Sequence, residues 1–185
     1  MVSQFTSSHQ VSLLGEIAYD FPEGIHAIGR LDNRSEGLLI LTTNKKVTRL
    51  LFQSTVPHKR TYLVQVKGIV SATALNQLTA GVCIRIKGDV LYTTPACEAA
   101  MVTHPETIYD TGFHLKEYGP HSWLLVTITE GKFHQVRKMM AAIGHRCTRL
   151  LRLSIEDLRL HGLPPGMVQE LEEKYFFEKL KIPYS

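Results

Sequence analysis

Asp32 lies within Gly29-Arg30-Leu31-Asp32-Asn33-Arg34-Ser35-Glu36-Gly37-Leu38-Leu39-Ile40-Leu41-Thr42, a carboxylate among turn-forming residues between two apolar runs. A loop carried on a rigid scaffold is a usual place for catalysis. The same residues also read without chemistry, with Asp32 folding onto its own backbone in an Asx-turn and Arg30 and Arg34 as solvated loop charges. A second cluster, Glu130-Gly131-Lys132-Phe133-His134-Gln135-Val136-Arg137-Lys138-Met139-Met140, gathers basic and amide side chains at the start of a helix whose other face is apolar. That arrangement suits phosphate contact, although an ordinary solvated helix face carries the same pattern. The third feature is Lys59-Arg60-Thr61-Tyr62, an aromatic at the beginning of a strand after two cations. Taken singly, such a tyrosine is more often core than ligand platform.

The elements that must position these residues mix strands and helices. Residues 25–28 and 37–43 read as strands flanking the Asp32 turn, the second nearly all apolar. Asn44 can cap a helix through Phe52, with Val47, Leu50 and Leu51 on one face. Residues 60–66 alternate like a strand with one buried face. Ser71 opens a helix carrying Leu75 and Leu78 that Gly81 stops. Residues 82–86 and 96–102 are further strands, separated by a Gly88-Asp89 turn. The stretch 104–122 is the longest loop, expected as a functional insertion. Residues 123–129 return to strand. A helix over 133–143, ended by Gly144, precedes a strand over 146–155, and a charged helix over 168–180 follows Pro164-Pro165-Gly166. Without regular βαβ alternation, this order predicts an α+β fold around a mixed, mostly antiparallel sheet.

The bulk properties narrow the function classes. The chain of 185 residues, 44% hydrophobic, is expected to form one compact domain over 1–185. Lys plus Arg total 21 against 17 Asp plus Glu, and 21 − 17 = +4 tilts the partner expectation modestly toward polyanions. Cys83, Cys97 and Cys147 have no Cys-x-x-Cys spacing and read as free thiols in a reducing cytoplasm. Nine histidines show no metal-ligand spacing, so no metal is expected. No apolar run approaches the ~20 residues that span a bilayer, and a monomer away from membranes is the expectation. A nucleotide triphosphatase is disfavoured by the lack of Gly-x-x-x-x-Gly-Lys-Ser/Thr. Asp32 and Glu36 could be imagined as glycosidase carboxylates, but they sit in one short turn, where Glu36 is expected to cap or solvate.

The three clusters together resemble the pseudouridine synthase family, specifically the type represented by its A enzymes of the small ribosomal subunit. The hallmark Gly29-Arg30-Leu31-Asp32 followed by Gly37-Leu38-Leu39-x-Leu41-Thr42 is matched. Arg60-Thr61-Tyr62-Leu63-Val64-x-Val66-x-Gly68 resembles the family's tyrosine strand, and Glu130-Gly131-Lys132-x-x-Gln135-Val136-Arg137-Lys138-Met139 its basic helix motif. Order and spacing agree across about residues 24–162. Val2-Ser3-Gln4-Phe5-Thr6 is most similar to the first motif of the E branch, which modifies large-subunit RNA and lacks the S4-type RNA-binding domain common in relatives. Two departures stand out. The Asn-Lys-Pro-Gly-like strand that precedes this motif in the family is absent, so a truncated N-terminal strand is expected, and Met167-Val168 replaces an aromatic and an arginine.

The resemblance implies a catalytic fold with a central RNA-binding cleft, and conversion of uridine to pseudouridine in ribosomal RNA, with large-subunit RNA as the narrower expectation. The same chemistry on small-subunit rRNA or tRNA, or a non-catalytic RNA-binding module, are the alternatives. The reaction breaks the C1′–N1 bond, turns the uracil and rejoins it through C5, so it requires no cofactor. The resemblance assigns Asp32 as nucleophile and Tyr62 as the ring stacked on the flipped base and a relay for its proton. A carboxylate enclosed by RNA loses water and drifts toward its protonated form unless a cation opposes this. Arg137 is the expected cation, in an ion pair with Asp32. Arg30, Lys59, Arg60, Lys132, His134, Gln135, Lys138, Arg149 and Arg152 are expected to contact RNA, mainly as a phosphate-binding fringe.

Overall fold

The computed structural model describes residues 1–52, 56–109 and 119–184. After a 3-10 turn at Leu14–Glu16, the strands β1 (His26–Ile28), β2 (Glu36–Gly37) and β3 (Ile40–Thr42) lead to helix α1 (Lys46–Phe52) and strand β4 (Arg60–Lys67). Helix α2 (Ala72–Ala80), strands β5 (Cys83–Arg85), β6 (Leu91–Thr93) and β7 (Glu98–Val102), and the long strand β8 (His121–Ile128) follow. Helix α3 (Gln135–Ala142), strands β9 (Cys147–Ile155) and β10 (Leu158–Arg159), and helix α4 (Glu173–Leu180) complete the order.

Six strands form the main sheet, ordered β10-β9-β4-β8-β7, with β2 added in parallel to β9. Every other pairing in it is antiparallel, and β1-β3 and β5-β6 are small antiparallel pairs. The expected α+β class and mostly antiparallel sheet are therefore found. The central strands alternate side chains between two cores, as the two-residue period of a strand requires. Val64, Val66, Leu124, Val126 and Leu150 join Leu78 of α2 and Val136, Met139 and Met140 of α3 on one face. Leu63 and Leu151 face Val47 and Leu51 of α1 and Phe177 and Leu180 of α4 on the other. Such double-sided burial makes β4, β8 and β9 the rigid floor of the molecule.

Four expectations are corrected. The single strand over 37–43 is split, because Gly37 takes φ +100° and turns the chain from β9 toward β1. A Cβ at Gly37 would stand 2.3 Å from the Arg152 carbonyl oxygen, so only glycine permits this approach. Helix α3 begins at Gln135 rather than 133, since His134 is left-handed at φ 54°. Helix α4 begins at Glu173, five residues after the expected start at 168. Strand β8 begins at His121, shortening the expected 104–122 loop, of which 110–118 lie outside the described residues. The caps of α2 follow expectation: Ser71 Oγ accepts from Ala74 N, and Gly81 ends the helix.

Candidate active site

Asp32 projects from the turn between β1 and β2, and that turn is tied down from three sides. On the N-terminal side, Ser3 Oγ accepts from Leu31 N at 2.9 Å and donates to Leu31 O at 3.2 Å, while Arg30 Nη2 donates to Gln4 Oε1 at 3.0 Å. From α3, Arg137 Nη2 donates to Arg34 O at 2.6 Å and to Ser35 Oγ at 3.2 Å. From β9, Arg149 grips Glu36 with two hydrogen bonds of 2.9 Å, the bidentate geometry in which arginine and carboxylate bind best. Glu36 is thus an anchor of the loop, where solvation or capping was expected.

The expected Asp32–Arg137 ion pair is not formed. Arg137 spends its Nη2 on the loop backbone and Ser35, and Nη1 faces Cys147 Sγ at 3.7 Å. The side chain that does approach the Asp32 carboxylate is the His134 ring, with Nε2 at 3.7 Å from Oδ1. His134 stacks on Phe133 at a centroid separation of 3.9 Å, and its left-handed backbone aims it across the helix start. Burial pushes the Cys147 thiol up to about 11, with Arg137 pulling in the opposite direction.

Tyr62 stands on β4 directly opposite Arg152 of β9, next to a register irregularity between Thr61 and Tyr62. It is half-buried against the α3 core. Together with Asp32 it lines a cleft of about 760 Å³. Gly29, Phe52, Arg60, Ile128, Glu130, Lys132 and Arg152 also line this cleft. Its volume falls within the ~300–1,000 Å³ typical of ligand pockets.

The expected RNA contacts divide. Arg30 and Lys132 are exposed on the cleft wall, Lys132 with Nζ 5.1 Å from the Tyr92 ring centre. Gln135 is buried there, accepting from Lys132 N and donating to Glu130 Oε1, so it braces the wall rather than offering itself to RNA. Lys59 pairs with Glu98 at 2.6 Å, and Lys138 donates to Ile86 O while lying 5.3 Å from the Phe133 ring centre. Arg149 is committed to Glu36. Arg60 and Arg152 line the cleft but are buried, at 7% and 4% exposure. Burial lowers the pKa of both guanidiniums, opposed at Arg152 by Tyr62 and Asp32 and at Arg60 by Tyr62 and Glu156.

Two residues of the site escape sequence reading. Ser3 belongs to a segment that resembles a family motif, yet its grip on Leu31 depends on a contact across 28 positions. Phe133 is 69% exposed beside the cleft, a signal visible only as an aromatic amid the basic cluster.

A family model described as RNA pseudouridylate synthase matches residues 5–142, which include the Asp32 turn, the Tyr62 strand and the α3 motif. The chain belongs to this family. Relatives agree. The chain is 35% identical over 167 residues to a ribosomal large subunit pseudouridine synthase E from Xanthomonas axonopodis pv. citri, covering 89% of this chain and 85% of that protein. A protein of the same description from Vibrio parahaemolyticus is also 35% identical, over 92% of this chain and 69% of its own length. A crystal structure described as pseudouridylate synthase superposes with a TM-score of 0.70 at 24% identity, over 91% of this chain and 65% of that one. This last likeness bears on the fold alone, and there it agrees with the pseudouridine synthase architecture expected above.

Proposed function

We propose that this chain isomerises uridine to pseudouridine at a defined position of ribosomal RNA, with large-subunit RNA as its target. Membership of the pseudouridylate synthase family and the relatives described as large-subunit synthases support the reaction and the RNA class. The observation that carries the reading is that Asp32 and Tyr62 line one cleft large enough for a flipped nucleotide. A base inside folded RNA reaches such a cleft only by leaving its stack, at a cost of a few kcal/mol. Stacking on Tyr62 returns roughly 1–3 kcal/mol of that.

Asp32 acts as the nucleophile, on the sugar carbon or on the ring. Tyr62 holds the base and relays the C5 proton. Arg137 serves by fixing the turn that carries Asp32. The isomerisation neither adds nor removes an electron, so the side chains of the cleft suffice for it. Arg30 and Lys132 contact phosphates, a contribution that weakens with salt. The chain works as a cytoplasmic monomer, and among the described residues no helix is long and apolar enough to cross a membrane.

The test is mass-spectrometric mapping of pseudouridine in rRNA from cells lacking the protein and from cells complemented with the unaltered chain or Asp32→Ala. Loss of one modification, restored by the unaltered chain and not by the variant, is expected. An unchanged large-subunit map removes that target, and restoration by Asp32→Ala removes Asp32 from the mechanism.

A further inference from the structure

Arg60 and Arg152 are the two most enclosed cations of the cleft, and each has a nitrogen with nothing to bind. Arg60 Nη1 and Arg152 Nη2 are buried without a hydrogen-bond partner among the described residues. The rest of each guanidinium is held in place. Arg152 Nε donates to Leu38 O at 2.8 Å, and Arg60 lies with Cζ 4.7 Å from the Phe52 ring centre. Gly131 leaves room above Arg60, since a Cβ there would lie 3.8 Å from Nη1. Among the described residues no carboxylate forms an ion pair with Arg60. Glu156, the acid on its side, is taken up by Lys59 N at 2.7 Å, His58 at 3.2 Å and Lys181 at 3.2 Å.

Buried charges with unused donors are costly unless an anion arrives to meet them. The two arginines also repel one another, and Arg152 lowers the tendency of Arg60 to hold its charge. Tyr62 lies between them in the fold: Arg60 is two residues earlier on β4, and Arg152 is its partner across β9. Whatever stacks on Tyr62 therefore lies in a cleft that both arginines line.

We infer that Arg60 and Arg152 form a paired guanidinium site that grips the carbonyl oxygens of the flipped uracil and stabilises the negative charge the ring acquires during isomerisation. The inference rests on the function proposed above. If Asp32 attacks C1′, the C1′–N1 bonding pair leaves with the ring as a uracil anion spread over O2 and O4. If it adds to C6 instead, the C5–C6 π pair moves onto O4. Either way the ring gains one negative charge. C5 then bonds to C1′; in the first route this displaces the Asp32 carboxylate from C1′, and in the second it breaks the C1′–N1 bond, whose pair stays on N1, before Asp32 leaves C6 as a carboxylate. In both, C5 loses a proton and N1 gains one, so atoms and electrons balance. Preorganised donors aimed at developing charge in a water-poor site are usually the largest catalytic term. A backbone phosphate is the lesser fit, since it lies several bonds from C1′ and the exposed Arg30 and Lys132 stand ready for it.

The experiment measures single-turnover rates and RNA dissociation constants for Arg60→Gln, Arg60→Lys and Arg152→Gln on a large-subunit rRNA transcript carrying uridine or 5-fluorouridine at the target. Fluorine withdraws charge and stabilises the ring anion without help from the protein; it also replaces the proton that C5 would lose, so on 5-fluorouridine the rate is read as formation of the C5–C1′ bond, with fluorine still on C5. The glutamine variants should turn over uridine about 10²-fold more slowly while binding RNA nearly as well, and the deficit should be about tenfold smaller on 5-fluorouridine. Arg60→Gln alone decides the matter if Arg152→Gln, losing its bond to Leu38, fails to unfold cooperatively in urea. Equal deficits on both bases overturn the inference, as does a loss confined to RNA affinity, which would mark a phosphate clamp. Conversion of the uridine transcript by the unaltered chain and its loss in Asp32→Ala test the underlying reading separately, whatever the arginines do.

Discussion

Arg137 Nη2 donates to the carbonyl oxygen of Arg34 at 2.6 Å, reaching from α3 to a residue of the Asp32 turn that is itself left-handed at φ 69°. This bond, with the one to Ser35 Oγ, makes Arg137 a brace for the backbone that carries Asp32. A brace differs from a counter-ion in what replaces it. Lysine would preserve charge near Asp32, but its compact ammonium does not reproduce the planar fork that serves two acceptors.

Arg137→Lys and Arg137→Ala should therefore be similarly defective. Misplacement of a reacting group by ~1 Å costs about 10²-fold in rate, and that loss is expected for both variants, with RNA affinity little changed. Single-turnover kinetics beside filter binding reads this. Substantial rescue by lysine alone would restore the charge-pairing role.

Gly37→Ala should unfold the chain more readily than Gly88→Ala. Both glycines have positive φ, but the added Cβ at Gly37 would lie 2.3 Å from Arg152 O, whereas Gly88 has nothing within 4 Å. Backbone strain alone costs ~1–2 kcal/mol at each, and overpacking adds about 1–3 kcal/mol at Gly37. Urea denaturation of the two variants gives the difference directly, and equal midpoints would show that β2 yields without cost. Loss of activity should accompany Gly37→Ala, since β2 and the Asp32 turn are one segment.

The contrast between these glycines also marks what sequence could deliver. Strands β4 and β9 and helix α2 were legible because alternation, apolar spacing and the Ser71 and Gly81 signals act locally. The short strands β6 and β10 were not, for two or three residues carry no period. Gly37 looked like the start of an apolar strand, because the atom that forbids a side chain there belongs to Arg152, 115 positions along the chain. The motifs placed Asp32 and Tyr62 in one cleft, as the family resemblance implied. Arg60, Arg149 and Arg152 were expected in a phosphate-binding fringe, and long-range pairing buries all three. A basic residue's burial depends on which strand lies beside it, and no local pattern encodes that neighbour.

Cys147 should resist alkylation at neutral pH. Its thiol is pushed up to about 11 by burial, so at pH 8 roughly one molecule in 10³ carries the reactive thiolate. The exposed Cys83 should be labelled first. Because a raised pKa suppresses the thiolate until the pH approaches that value, labelling of Cys147 should rise between pH 9 and pH 11, about tenfold per unit at the start. Peptide mass mapping after timed iodoacetamide treatment follows each site. Rapid labelling of Cys147 at pH 8 would mean that its neighbour Arg137 outweighs burial.

Phe133 should act on RNA rather than on the fold. It is 69% exposed, stacks on His134 at 3.9 Å, and has Lys138 Nζ 5.3 Å from its ring centre, so an aromatic face flanked by an imidazole and an ammonium borders the cleft that Asp32 lines. When a nucleotide leaves its stack, its former neighbours lose a π-face, and an adjacent aromatic supplies a substitute worth roughly 1–3 kcal/mol. Phe133→Ala should leave the urea midpoint nearly unchanged, because the removed ring is mostly solvated. It should weaken binding of the substrate RNA by about 5- to 150-fold, the equivalent of that stacking energy. Fluorescence of 2-aminopurine placed beside the target uridine reports the stacking itself. The unaltered chain should quench it on binding relative to Phe133→Ala, while Phe133→Trp should keep both quenching and affinity. Identical fluorescence and affinity for the alanine variant would assign Phe133 no part in holding the opened RNA.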